Sequence, residues 1–480
     1  MLEGLEITIF NSKDILTDNE EFRLDSEYYQ KEYLNIYDKI NKGAMLVDIT
    51  KMSDLSSNGS FASVKKIMNL GGKKTIPFIR SGNCGETFIN LNDLEYISEN
   101  SHNNLPKSRT KLYDVMMARK GKIGGASIIT EQEVNYNCSE NTIKLTIADK
   151  SIFNPFYFTV FFNSKFGLKQ IERLSTGNVQ PWVSIFQIRK LLIPELKFSF
   201  QLKIEELVKK SFDDLNNSKQ TYAQAENILL EEIDLQNFTP SKEPVNIKSF
   251  KDSFATSGRL DAEYYQPKYE FIENKIKSYP NGFSILDDFI DDFSTGFPYK
   301  SKSYIESGGI PIIRINNINK GSLDISNAKH IPLADLTLSE KDIAEQNDIL
   351  ISMSGTIGNS CKIPKGIKAV VNQRIMKITP KNFNVEVLPL VINSIIGQLQ
   401  LNRIGTGCVQ TNISSNDIRK IFIPNIYKEK QQQIADLIEK SFSLKKQSEH
   451  LLEVAKKAVE IAIEENEENA LEYIKSETNE

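Results

Sequence analysis

The residues that catalysis would draw on are few in this chain. Only His102, His330 and His450 are present as histidines, which leaves acid–base chemistry through imidazole little material. The cysteines Cys84, Cys138, Cys361 and Cys408 are scattered, with no CxxC pair and no histidine at ligand spacing, so they read as reduced thiols. The carboxylate pairs Asp287-Asp288 and Asp291-Asp292 have the chemistry to hold a hard cation, but solvated loop acids are the simpler reading. No GxxxxGK[ST] cradle for phosphates occurs, and Gly121-Lys-Ile-Gly-Gly125 lacks the spacing of a dinucleotide loop. The expectation is a chain with no catalytic residues, no metal and no cofactor of its own.

Basic and amide side chains are more informative. The net charge of −4 hides an uneven distribution, because residues 464–480 carry seven Glu against one Lys. From Phe61 to Gly125 eleven Lys and Arg face five Asp and Glu, and from Tyr299 to Lys377 eleven face seven. Such stretches serve either as solvated faces or as contacts to nucleic acid, and charge alone permits both. The start, MLEGLEITIF, has no basic segment followed by an apolar run. The greasiest runs, Phe156–Phe162 and Leu388–Ile396, fall far short of the roughly 20 residues that span a bilayer. A soluble, cytoplasmic protein without a membrane partner is expected.

What positions these residues is a duplicated framework. Arg23-Leu-Asp-Ser-Glu-Tyr-Tyr-Gln-Lys-Glu-Tyr33 recurs as Arg259-Leu-Asp-Ala-Glu-Tyr-Tyr-Gln-Pro-Lys-Tyr269, eight of eleven positions being identical. In the same order Ile76-Pro-Phe-Ile-Arg80 recurs as Ile310-Pro-Ile-Ile-Arg314, Asp114–Gly124 as Asp348–Gly358, and Asn163-Ser164 as Asn393-Ser394. Arg173-Leu-Ser-Thr-Gly-Asn-Val-Gln180 then recurs as Arg403-Ile-Gly-Thr-Gly-Cys-Val-Gln410, and Ile188-Arg-Lys-Leu-Leu-Ile-Pro194 as Ile418-Arg-Lys-Ile-Phe-Ile-Pro424. The offset falls from 236 to 230, so insertions separate the shared pieces. The carboxylate pairs near Asp287 have no counterpart in the first half.

Each half runs into a long helix. Ile204, Val208, Ser211, Leu215, Ser218, Tyr222, Ala225 and Leu229 alternate four and three apart, the seam of a coiled coil. Ile434, Ile438, Ser441, Lys445, Ser448, Leu452, Ala455, Val459 and Ala462 repeat that alternation 230 residues later. Small Ser211, Ser218 and Ser441 permit close helix approach; Lys445 either fixes register or reaches out to the edge. Ahead of each helix, short apolar runs such as Thr75–Arg80, Tyr113–Arg119 and Thr142–Ile147, separated by Gly, Asn and Ser, predict strands and turns. Arg23–Lys42 and Phe153–Leu174 read as helical, and Gln236–Pro244 as a polar linker.

Asn154-Pro155-Phe156-Tyr157 faintly resembles the NPPY-type loop with which amino-methyltransferases hold a flipped base. Its second proline is missing and the other half has Asn384-Val-Glu-Val instead, so no catalysis is inferred. The doubled plan, with Thr-Gly-x-Val-Gln before an Ile-Arg-Lys-Leu-Leu-Ile-Pro strand and a long helix, resembles the specificity subunit of type I restriction-modification enzymes over about the whole chain. The resemblance implies an α+β fold of two tandem repeats, each a β-rich target recognition domain followed by a long helix, the two helices forming an antiparallel coiled coil. Its domains would be 1–200, first target recognition domain; 201–236, first helix; 237–257, linker; 258–429, second target recognition domain; 430–466, second helix; and 467–480, acidic tail. The subunit would be non-catalytic. It would read one half of a bipartite site on double-stranded DNA with each domain, and recruit two methyltransferase subunits and the restriction subunits, on which S-adenosylmethionine, ATP and Mg are expected. A helix of about 33 residues spans roughly 50 Å, or about 15 base pairs, so the helix pair would act as a ruler. Two alternatives stand: the specificity chain of a fused methyltransferase-nuclease that cuts both sides of its site, and a coiled-coil adaptor that binds only proteins.

Arginine suits guanine, Asn and Gln suit adenine, and Lys mostly meets phosphate. On that chemistry the DNA-contacting candidates of the first domain are Lys73, Lys74, Arg80, Asn83, Arg119, Lys120, Lys122, Asn178, Gln180 and Trp182. Those of the second are Arg314, Asn316, Asn317, Asn319, Ser352, Ser354, Thr356, Gln410, Thr411 and Asn412. Arg80 with Arg314 and Gln180 with Gln410 are shared, which points to framework or phosphate contacts. Arg119-Lys120 against Met353-Ser354 differ, which points to specificity. Each is alternatively a solvated loop residue, and Trp182 alternatively a packed one.

Overall fold

The computed structural model describes residues 23–478, apart from 122, 178–180, 241–244 and 406–411. Two compact units emerge, one made of residues 1–215 with 445–480 and the other of residues 216–444. The end of the chain groups with its beginning in the first unit.

In the first unit a four-stranded antiparallel sheet runs in the order Thr50–Ser53, Thr142–Ile147, Val115–Ala118, Ala126–Ile128. A second sheet runs Glu95–Ser98, Lys74–Ile79, Asn137–Cys138, the last pair parallel. All four residues of Val115–Ala118 are buried, which explains a continuous apolar run rather than an alternating one. In the second unit the corresponding orders are Ile290–Ser294, Ile375–Pro380, Ile349–Ser352, Ser360–Lys362, and His330–Ile331, Ile310–Ile313, Ala369–Val371, Ile343–Ala344. Both folds are α+β.

An apolar helix backs the first sheet of each unit: Pro155–Asn163, then Lys165–Leu174, in the first, and Val387–Asn393, then Ile395–Ile404, in the second. The single helix expected over Phe153–Leu174 is thus broken, at Ser164. Glycine is required just after the break, since a Cβ on Gly167 would lie 2.4 Å from Phe162 Cα and one on Gly397 2.3 Å from the Ile392 carbonyl oxygen. The asparagine before each break clamps a strand edge: Asn163 bonds the N–H and C=O of Ala126, both at 2.8 Å, and Asn393 those of Ser360, at 2.9 and 2.7 Å. Arg23–Lys42 likewise divides into a 3₁₀ turn, Ser26–Tyr29, and a helix, Lys31–Ile40.

The long helices span Phe198–Glu232 and Lys428–Glu464, a few residues from the expected 201–236 and 430–466. Within the first unit the start of one packs antiparallel against the end of the other, with Ile204, Leu207 and Val208 in one core with Leu451, Val454, Ala455 and Val459. There Ser211 Oγ donates to the Ser448 carbonyl at 3.0 Å and meets its hydroxyl at 2.8 Å. Within the second unit Ser218 and Ser441 each donate to the other's carbonyl at 2.8 Å, while Ala225, Leu229, Ile434 and Ile438 are buried. The seam serines thus satisfy one another. Leu215, Tyr222 and Leu452 are only partly buried, and Lys445 reaches outward, 4.0 Å from Glu449.

The acidic tail expected over 467–480 is helical where it is described. Glu467–Thr478 is a helix whose Ala470 and Ile474 are fully buried in the first unit's core, and Glu467 accepts from the Lys197 N–H at 2.6 Å. The acids occupy its outer face, and two apolar residues four apart suffice to dock it. The linker 237–257 contains a one-turn helix, Phe254–Ser257. Among the described residues no helix is long and apolar enough to cross a membrane.

Candidate nucleic-acid interface

Each unit brings three loops to one end of its first sheet through the same backbone hydrogen bonds. In the first unit the strand Val115–Ala118 runs on into Arg119, whose N–H donates to the Asn141 carbonyl and whose carbonyl accepts from the Val183 N–H, both at 2.9 Å. Thr176 and Trp182 exchange N–H···O bonds of 3.0 and 2.9 Å, and Gly121 donates to Pro181 at 3.2 Å. In the second unit Met353 donates to the Arg374 carbonyl at 2.9 Å and accepts from Ile413 at 3.0 Å, and Ser354 bridges to Asn412. One frame therefore presents Arg119, Lys120, Asn141 and Trp182 in one unit, and Met353, Ser354, Arg374 and Asn412 in the other. A shared backbone scaffold with unshared side chains is what reading different base sequences needs.

The structure sorts the candidates by what their side chains already do. Lys73, Lys74, Lys120, Asn316, Asn319, Thr356 and Asn412 are exposed, and Trp182 is 45% exposed despite its backbone bridges. Arg80 is exposed and pairs with Glu95 at 2.7 Å. Arg314 is half-buried, its guanidinium 5.8 Å from the Tyr304 ring centre and its Nε without a partner among the described residues.

Five candidates are corrected. Asn83 is buried, accepting from the Arg80 N–H at 2.9 Å and donating to the Asn90 and Asn92 carbonyls; Asn317 repeats this with Arg314 at 2.8 Å and Asp324. Both amides close a turn and have little left to offer a base. Ser352 is buried and donates to the Thr356 carbonyl, and Ser354 is buried. The Arg119 guanidinium is 17% exposed and bonds Asp54 at 3.0 Å, the Glu140 carbonyl at 3.1 Å and the Val183 carbonyl at 3.3 Å, so it braces the loops rather than reaching out. Lys122, Asn178, Gln180, Gln410 and Thr411 lie outside the described residues.

Residues 283–454 match the family model of the type I restriction modification DNA specificity domain. The match covers 172 of the 480 residues. Solved structures similar to it include the type I restriction-modification S subunit from M. genitalium, at 14% identity and TM-score 0.37, covering 90% of this chain and 95% of that one. The HsdS subunit from Thermoanaerobacter tengcongensis matches at 14% identity and TM-score 0.28, over 88% of this chain and 96% of that one. The type IIG restriction endonuclease BpuSI matches at 13% identity and TM-score 0.29, over 39% and 33%. A comparison with curated proteins returned no match.

In this chain the motifs that hinted at catalysis have structural duties. Asn154 caps the helix Pro155–Asn163 by accepting from the Phe156 N–H at 2.9 Å, and its own N–H donates to Gln201 at 2.8 Å, tying that helix to the first long one. Asp287 is held by Arg419 at 2.6 and 3.0 Å, and Asp288 accepts from the Ile285 N–H. No group of ligating side chains that could hold a metal is present among the described residues. Burial pushes the Cys138 and Cys361 thiols up to about 12, and Cys84 upward too, which keeps these three cysteines protonated at neutral pH.

Sequence reasoning missed the middle loop of the frame. Arg374 is exposed, holds a left-handed backbone at φ 69°, and lines a cleft with Gln373, Asn412 and Ser414. Its counterpart Asn141 lines a cleft of about 890 Å³ with Phe61, Lys65, Arg80 and Asn92, and Phe61 is 86% exposed. Arg374 belongs to the basic second-half stretch counted above, but its place beside Met353 comes from strand pairing, which spacing along the chain does not reveal.

Proposed function

We propose that this chain is the DNA-recognition and scaffold subunit of a type I restriction-modification complex, non-catalytic itself, with each unit reading one half of a bipartite site. The chain is read as a tandem repeat whose long helices form an antiparallel coiled coil that sets the spacer and docks two methyltransferase subunits. S-adenosylmethionine, ATP and Mg belong to the methyltransferase and restriction subunits. The observation that carries the reading is the three-loop frame, built twice from the same backbone bonds and furnished with different side chains. In the first unit Lys120, Asn141 and Trp182 are the readers, supported by phosphate contacts from Lys73, Lys74 and Arg80. In the second, Arg374, Asn412, Thr356, Asn316 and Asn319 take these roles. Lys122, Asn178, Gln180, Gln410 and Thr411 stay proposed contacts by their place in the same loops.

Mapping methylated bases in DNA from cells carrying the whole system tests this. Two short half-sites separated by a fixed unread spacer are expected. A single continuous site, or equal competition by every unrelated duplex, refutes the reading. Inserting one heptad into both helices adds ~10.5 Å and should lengthen the spacer by about three base pairs at ~3.4 Å each.

A further inference from the structure

The helix Phe61–Met68 of the first unit carries apolar side chains at Phe61, Val64 and Met68, which share one face. Val64 is buried with Leu55, Phe78, Ile97 and Leu105, and Met68 packs against the same cluster. Phe61 continues that face one turn beyond the core. Its side chain is 86% exposed, more than any other aromatic side chain among the described residues, and no ring or cation lies on it there. The helix start is held in place, because the Ser60 hydroxyl accepts from the Ser63 N–H at 3.3 Å and meets the Ser63 hydroxyl at 2.8 Å.

The surroundings of this ring are polar and basic. Phe61 stands on the cleft that Arg80 and Asn141 line, and Asn141 belongs to the loop frame through its bond from the Arg119 N–H. Lys65 lines the same cleft; Lys65, Lys66, Lys73 and Lys74 are all exposed, and none is in an ion pair among the described residues. Of the acids on the cleft, Glu95 is taken up by Arg80 at 2.7 Å, while Asp93 and Glu140 are acceptors of the kind a cytosine amino group meets. A bare apolar ring among unpaired cations fits a partner with phosphates outside and flat aromatic faces inside, which is duplex DNA. The second unit has no such ring. After its equivalent strand, Ile290–Ser294, the chain reads Thr295-Gly-Phe-Pro-Tyr299, and Phe297 lies 4.8 Å from the Tyr299 ring and packs on a core with Ile310 and Val370.

We propose that Phe61 is a wedge that enters one base step of the half-site read by the first unit, unstacking and kinking the duplex there. The inference rests on the DNA-recognition reading given above and adds to it a deformation confined to one half-site. Inserting an apolar side chain costs least at the flexible pyrimidine–purine steps, TA and CA/TG, so the first half-site contains or adjoins such a step. Sequence is selected there by deformability as well as by hydrogen bonds. The second unit, whose Phe297 is spent in its core, reads its half-site without a wedge at this position.

The test uses the full chain assembled with its methyltransferase subunits, and duplexes carrying 2-aminopurine at one position at a time through both half-sites found by methylation mapping. Wild type should raise the fluorescence severalfold at one step, in one half-site only. Phe61→Ala should abolish that rise and weaken specific binding on the order of tenfold, with the salt slope unchanged because no phosphate contact is lost. Phe61→Leu keeps an apolar wedge and should retain most of the rise, and neither variant should shift the denaturation midpoint. A Phe61→Ala complex with wild-type fluorescence and affinity overturns the wedge and leaves the bipartite reading standing, and so does a wild-type complex that brightens at no position. Loss of a methyltransferase copy from the Phe61→Ala complex, counted by native mass spectrometry, also overturns the wedge, since the ring would then face protein. A wild-type complex that binds every duplex equally overturns the DNA-recognition reading itself.

Discussion

Replacing Arg119 by Ala should damage the fold of the first unit, whereas replacing the adjacent Lys120 should damage only DNA binding. Asp54 is 1% exposed, and its carboxylate accepts from Arg119 Nη1 at 3.0 Å, the Ser56 hydroxyl at 2.6 Å, the Ser57 N–H at 3.1 Å and the Ser57 hydroxyl at 3.2 Å. Stripping one partner from a buried ion pair costs about 3–5 kcal/mol when nothing else supports the remaining charge. Here the remaining donors and the 17% exposure of Arg119 reduce that figure, so about 2–3 kcal/mol is expected. In a unit of this size that lowers Tm by roughly 4–12 °C, at about 2–4 °C per kcal/mol. Trp182, the single tryptophan, bridges to Lys120, so its fluorescence during urea or thermal unfolding reports on this loop frame directly. Lys120→Ala should change stability by less than about 0.5 kcal/mol, while weakening DNA binding by the assembled complex and reducing the salt slope by about one. An Arg119→Ala protein that unfolds like wild type but loses DNA affinity as Lys120→Ala does would show that Arg119 reaches DNA, and would refute the bracing role.

Ser211→Ala leaves the buried Ser448 hydroxyl without its mate, at a cost of about 1 kcal/mol; an unchanged urea midpoint would contradict the pairing. Gly321→Ala combines a left-handed φ of 78° with a Cβ placed 2.6 Å from Tyr222 Oη, so the second unit should lose about 1–3 kcal/mol by calorimetry. The Asp287 carboxyl is held below its ordinary 3.8 by its hydrogen bonds with Arg419. A depressed carboxylate pKa contributes stability above the unfolded value and loses it as pH falls through the folded one, so this contribution should decline progressively as pH falls below 3.8. Asp287→Asn should flatten that part of the acid-unfolding profile. Arg374→Ala should alter which half-site the complex prefers at one position, read by competition among single-base variants, and leave the other half-site untouched.

The sequence by itself determined that the chain has two copies of one framework, where the long helices lie, and which loops differ between the halves. Those features are written in local order: periodicity of three and four, short apolar runs bounded by Gly and Asn, and duplicated motifs such as Asn163-Ser164 whose amide clamps a strand edge. It also located the loops around Lys120 and Asn412 without distinguishing reach from restraint. Asn83 and Arg119 have the side chains of base readers, yet a turn carbonyl and a buried Asp54 occupy them, and only the folded neighbourhood supplies those partners. Arg374 joins the frame because Ile375–Pro380 pairs with Ile349–Ser352, a contact between residues far apart in sequence. The final segment reads in sequence as an acidic tail because its charge outweighs its two apolar anchors; the pocket that receives Ala470 and Ile474 exists only once the first unit has assembled. Composition and spacing fix which groups are available, and tertiary packing decides which of them are already spent within the fold and which remain for DNA.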